Sequence, residues 1–148
     1  MEKVRYQSAF TFQYSPREGT PAAQQKEIPA DVMRHRFQRL VDLQNSISLE
    51  IAEHQVGREF SVLVEGSSEH QDESYTGRTS ENWLINFEIT EELLHTEGLS
   101  GLSKHALGDE LEGCYIKVRV DHARTFSLNA TAIEIISLPA GMQRQEVR

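Results

Sequence analysis

The chain has 148 residues, 23 acidic against 15 basic side chains, a net charge of −8 and one cysteine. That length suits one domain or one and a part, well short of the roughly 250 residues of a complete (β/α)8 barrel. A single cysteine excludes an intrachain disulfide, a Cys-rich zinc site and an all-cysteine iron–sulfur site. The mean hydropathy is −0.51, no apolar run approaches the roughly 20 residues of a membrane span, and MEKVRYQSAF lacks the order of a signal peptide, so a soluble, cytoplasmic setting is expected.

Taken in chain order, Val4 to Tyr14 reads as a strand, with Phe10, Phe12 and Tyr14 alternating with Thr11 and Gln13. Ser15-Pro16 ends it, and SPREGTP is a loop by its Pro and Gly content. After Ile28-Pro29, Asp31 stands at a predicted N-cap. A long helix follows to about His54, with Met33, Phe37, Leu40, Ile47 and Ile51 as one apolar stripe widened by Leu43. Val56-Gly57 closes it. The basic start of this helix (Arg34, His35, Arg36, Arg39) reads as a solvated outer face.

The remainder is β-rich. EFSVLVEG puts Phe60, Val62 and Val64 on one face and Leu63 on the other. The polar SSEHQDES makes a turn or loop. WLINFEI, CYIKVRVDHA and ATAIEIISL read as three further strands, Ile116, Val118 and Val120 alternating in the second of them. Glu88 to Gly113 reads as an insertion of one or two short helical turns. Short strands with polar turns suggest a small barrel. Residues 56–137 carry fifteen acidic against six basic side chains, so attraction to phosphate there needs a local patch.

AFTFQYSPREGTPAA followed by IPADVMRHRFQRLVDLQNSISLE closely resembles the end of the radical-SAM barrel in MiaB-type tRNA methylthiotransferases. VGREFSVLVEGSSEH and YTGRTSENWLINFE then resemble the start of the RNA-binding TRAM domain of that family, over residues 4–88 in all, and the likeness resumes at GCYIKVRVDHARTFSLNATAIE. The resemblance implies an α+β chain: a strand and long helix from the end of an α/β radical-SAM barrel, then a small antiparallel β-barrel of TRAM, OB-like type. The expected domains are a barrel remnant at 1–55, a TRAM-like barrel at 56–137 with an insertion at 88–113, and a flexible tail at 138–148. The family adds a methylthio group to an isopentenylated adenosine beside the tRNA anticodon, using S-adenosylmethionine and [4Fe-4S] clusters held by upstream cysteines. Cys114 stands alone, so this chain is expected to hold no cofactor, no metal and no catalytic residue. Its implied partners are tRNA, through the anticodon arm, and the upstream catalytic domains of the same enzyme. Three features depart from the family pattern: the acidic balance, the length of 88–113, and Asn129-Ala130 after Ser127-Leu128, where the family often has a Ser-Leu-x-Gly turn. Asn at 129 tolerates the left-handed backbone such a turn needs.

Three groups of residues are candidates for contact with RNA. Ser15, Arg17, Gly19 and Thr20 form a loop after the first strand; by resemblance it lies at a barrel rim, and otherwise it is a structural turn. In GRTSEN, Arg78 offers a planar fork suited to phosphate and Asn82 a donor and acceptor for a base edge or ribose; the other reading is a hairpin turn with Trp83 in the core. Lys117 and Arg119 share the strand face opposite Ile116 and Val118, with Arg124 in the loop beyond. They are phosphate contacts or a solvated face paired to Glu112 or Glu134. The rival reading of the whole chain is a free-standing small β-barrel module binding RNA or a basic protein.

Overall fold

A computed structural model of the chain describes residues 1–68, 74–96 and 111–138. It divides into two compact units, Met1–Ile51 and Ala52–Arg148.

In the first unit, Val4 to Tyr14 forms no strand, against the alternation of its sequence. Phe10 and Phe12 are 93% and 84% exposed. A strand needs a hydrogen-bonded neighbour, and no strand is described in this unit for it to pair with. The segment is tied instead to α1 (Ala30–Glu53). Gln44 Nε2 donates to the carbonyl of Tyr6 at 2.7 Å, and Arg5 pairs with Glu50 at 2.7 Å. The helix begins one residue before Asp31, which lies in the first turn, where its charge suits the helix dipole. Its buried residues in this unit are Gln44, Ile47 and Ser48, while Leu40 of the expected stripe is 38% exposed. The buried face carries two polar side chains instead, joined to each other: Gln44 Nε2 also donates to Ser48 Oγ at 2.9 Å.

The second unit is a closed five-stranded barrel in the order β1-β2-β3-β5-β4, made by β1 (Glu59–Ser67), β2 (Tyr75–Arg78), β3 (Leu84–Glu88), β4 (Tyr115–Ala123) and β5 (Leu128–Ile135). Four pairings are antiparallel and β3–β5 is parallel. This is an OB-like topology. Gly57, in the left-handed region at φ 81°, turns the chain into β1, and its N–H donates to the Val120 carbonyl at 2.8 Å. Inward-facing Val62, Val64, Ile85, Phe87, Ile116, Val118, Leu128 and Ile135 are all at most 1% exposed, as period-two alternation requires. Tyr75 and Phe87 stack at 5.7 Å between centroids. Trp83 is buried at 8% exposure, the core position expected of it.

β2 is a fifth strand that the sequence did not announce. It is four residues long, and its inward position 77 is glycine, so it offers no alternating apolar pattern. Asn129 lies inside β5, and among the described residues the non-glycine ones with positive φ are Arg5 and Asn82. The turn expected at Asn129 is therefore absent. The chain reverses at 124–127 instead, where the Arg124 N–H donates to the Ser127 carbonyl at 2.8 Å. Within the expected insertion, α2 (Glu91–Thr96) is a short helix, capped by Thr90 Oγ1, which accepts from the Leu93 N–H at 3.2 Å. Leu94 and Leu111 are buried. The remainder of the insertion, 97–110, and 139–148 of the tail lie outside the described residues.

Candidate nucleic-acid interface

Alternation fixes which cations face outward. On β4 the buried Ile116 and Val118 force Lys117 and Arg119 to the outer face, as the sequence implies. What the sequence does not display is their surroundings. Register sets Arg119 opposite Glu59 and Lys117 opposite Ser61 on β1. Lys117 Nζ lies 2.8 Å from Glu59 Oε2. The hydrogen bond to Lys117 and its charge hold the Glu59 carboxyl below the usual range, with a smaller push from Arg119. The same contact raises the Lys117 ammonium, and Glu134 adds to it. The partner is thus chiefly Glu59, with Glu134 contributing, rather than Glu112.

Arg78 closes β2 on the other side of β1, opposite Leu63, with Leu63 in turn opposite Tyr115 of β4. Its Nε lies 3.2 Å from Glu65 Oε1, and its Nη1 donates to Asn82 Oδ1 at 3.3 Å. Arg78 and Asn82 are therefore brought together, as are Lys117 and Arg119, all outside the barrel. Arg78, Lys117 and Glu59 are each about two-fifths exposed along their side chains. Pairs so exposed to water contribute little to stability and exchange readily for another anion.

Asn82 also serves the backbone. It sits in the left-handed region at φ 66°, and its N–H closes the turn on the Thr79 carbonyl at 2.9 Å. Thr79 Oγ1 accepts from the Trp83 N–H at 3.1 Å. This hairpin tip holds Arg78 and Asn82 in fixed relation. Arg124 is exposed and lies apart from Lys117, seven residues and so about 20 Å along the chain, in the β4–β5 turn. In OB-like barrels the faces of the second and third strands and the loop between the fourth and fifth are where nucleic acid is held. Phe126, 66% exposed in that turn, is a residue that sequence reading passed over. An aromatic ring left outside a core in a two-strand connection was the signal available.

The loop in the first unit is a self-closed turn. Thr20 Oγ1 donates to the Arg17 carbonyl at 2.8 Å, Gly19 takes φ 79°, and a 3-10 turn follows at Pro21–Gln24. Ser15 lines a cleft of about 470 Å³ with Tyr14, Pro16, Ile28 and Met33. Among the described residues no group of three or more His, Cys, Asp or Glu side chains is placed to hold a metal ion. Cys114 is 3% exposed, and burial pushes its thiol up, the reverse of what a metal-binding thiolate needs. The residues described do not fit an iron–sulfur cluster.

The geometry defines a small OB-like β-barrel with an outer face of exposed, carboxylate-paired cations. No family model matches the chain, but curated relatives do. It is 40% identical over 134 residues to the tRNA-2-methylthio-N(6)-dimethylallyladenosine synthase of Clostridioides difficile (strain 630), covering 90% of this chain and 24% of that protein. The protein of the same name from Acetivibrio thermocellus is 38% identical over 134 residues, with 90% and 24% covered, and that of Bacillus cereus (strain B4264) 36% over 133, with 89% and 23% covered. The chain is homologous to the C-terminal part of these synthases and spans about a quarter of their length. No described helix is long and apolar enough to cross a membrane.

Proposed function

We propose that this chain is the tRNA-binding, C-terminal portion of a tRNA-2-methylthio-N(6)-dimethylallyladenosine synthase, its barrel a TRAM domain. In this reading the barrel grips the anticodon arm while radical-SAM domains outside these 148 residues methylthiolate the adenosine beside the anticodon in the cytoplasm. S-adenosylmethionine and the [4Fe-4S] clusters belong to those domains, and the chain alone is inactive. Residues 1–55 correspond to the end of the radical-SAM barrel, with Ser15, Arg17, Gly19 and Thr20 at its rim. The observation that carries the reading is 36–40% identity across about nine-tenths of the chain to the C-terminal quarter of synthases named for a tRNA product.

Arg78, Lys117, Arg119 and Arg124 are the phosphate contacts in this proposal, with Asn82 adding a base or ribose hydrogen bond. Binding requires RNA phosphates to displace Glu59 and Glu65 from their cations, which the exposure of those pairs permits. Titration of the chain with an anticodon stem-loop at several salt concentrations tests it. A handful of phosphate contacts gives a log–log salt slope of roughly −2 to −4, and Arg78→Ala or Arg124→Ala lowers both affinity and slope. Absence of binding at low salt overturns the proposal and leaves a basic protein partner as the fit for so acidic a chain.

A further inference from the structure

A second feature of the barrel is a row of polar side chains at one level of four strands. Thr76 on β2 is paired in register with Asn86 on β3, Asn86 with Asn129 on β5, and Asn129 with His122 on β4. Thr76, Asn86 and Asn129 alternate with buried residues and so face outward, and His122 is itself exposed. At His122 the register shifts by one residue, which leaves Asp121 and His122 both on the outer side. Asn86, Asn129, His122, Glu88 and Asp121 line a cleft of about 240 Å³. That is below the roughly 300–1,000 Å³ of a drug-sized ligand site and suits one planar ring.

The acidic groups of the cleft are acceptors, and its asparagine amides offer both donors and acceptors. Its charged walls are the carboxylates of Glu88 and Asp121, and neither Lys nor Arg lines it. It therefore repels phosphate, unlike the cation-bearing face of β1 and β4. Asp121 Oδ2 accepts from Thr131 Oγ1 at 2.7 Å, which fixes that carboxylate in place. Asn129 Oδ1 is buried and has no hydrogen-bond partner among the described residues, and a buried acceptor left unpaired favours a ligand that donates to it. Three residues before Asn129, the turn presents the exposed ring of Phe126 with Arg124 at its other end. Aromatic rings on such loops stack on bases, and a guanidinium there can hold the attached phosphate.

We infer that this cleft is a subsite for one unpaired base bearing an exocyclic amino group, cytosine, adenine or guanine as against uracil, with Asn129 and Asn86 reading its edge and Phe126 stacking nearby. The inference rests on the RNA-binding reading above and adds a base preference to it. Uracil offers one imide N–H flanked by two carbonyl oxygens, which would face Glu88 and Asp121, whereas the cytosine amine turns two N–H donors to the same walls.

The test compares hexacytidylate with hexauridylate RNA on the intact chain at fixed low salt, two ligands of equal charge and ring size. The expected result is about tenfold tighter binding of the cytidylate. Asn129→Ala and, as a second variant on a different strand, Asn86→Ala each bring the two affinities within about twofold by weakening the cytidylate more than the uridylate, with folding of each variant checked by its thermal melt. Phe126→Ala weakens both ligands roughly fivefold or more. Equal affinities in the unsubstituted chain, or a preference that survives both asparagine variants, overturn the inference while salt-dependent binding keeps the RNA-binding reading. Failure of both hexamers and of the anticodon stem-loop to bind overturns the two together.

Discussion

Gly77 faces into the barrel, where a Cβ would lie 2.3 Å from the Leu63 carbonyl oxygen and 2.5 Å from Val62 Cγ1. The first of these is backbone paired across β1 and cannot move without disturbing the ladder. We expect Gly77→Ala to lower unfolding free energy by roughly 1–3 kcal/mol, the range for overpacking, in a denaturant titration; an unchanged midpoint would contradict this packing. Glu59 is the other informative residue. Glu59→Gln releases Lys117 and lightens the charge on Arg119, so RNA affinity rises roughly two- to fivefold, the scale of one screened surface charge. Its folded carboxyl is held low, chiefly by Lys117. A depressed acid favours the fold above the ordinary carboxylate range, and that contribution is lost as pH falls through the lowered value. Any difference in Tm between the unsubstituted chain and the Glu59→Gln variant should thus be present at neutral pH and vanish in acid. A difference that grows in acid would contradict the assignment.

At the scale of elements, the legible parts were those whose burial follows one strand's own alternation. β1 and β4 were readable from Phe60, Val62, Val64 and Ile116, Val118, Val120, and all six are buried. β2 was not, because a four-residue strand with glycine at an inward position carries no period. The outward direction of Lys117 and Arg119 was readable, but their carboxylate neighbour was not. Glu59 is distant in sequence and reaches Lys117 only through β1–β4 register. The apolar stripe of α1 misled at Leu40 because Gln44 and Ser48 occupy the buried face as a hydrogen-bonded pair. In the first fourteen residues, alternation described what the segment favours, and pairing decided otherwise. What holds that segment is chiefly Gln44 to Tyr6 and Arg5 to Glu50. Gln44→Ala removes a bond of roughly 1 kcal/mol, so chymotryptic cleavage after Phe10 or Phe12 should quicken about fivefold. An unchanged rate would mean that Gln44 does not anchor it.

Over the whole molecule, a net charge of −8 stands against tight, purely electrostatic attachment to RNA. The barrel places Arg78, Lys117 and Arg119 outside, beside β1 carboxylates, and in the proposed reading affinity depends on local exchange of these partners rather than on bulk field. The chain spans about a quarter of its curated relatives. In the proposed setting the catalytic domains supply further contact, and the barrel sets orientation. The most direct measurement is a backbone amide map: isotope-labelled chain titrated with an anticodon stem-loop and followed by NMR. The account predicts the largest shifts at Arg78, Asn82, Lys117, Arg119 and Arg124, fading as salt is raised. Shifts confined to residues 1–51, or none across β2, β4 and the 124–127 turn, would contradict it.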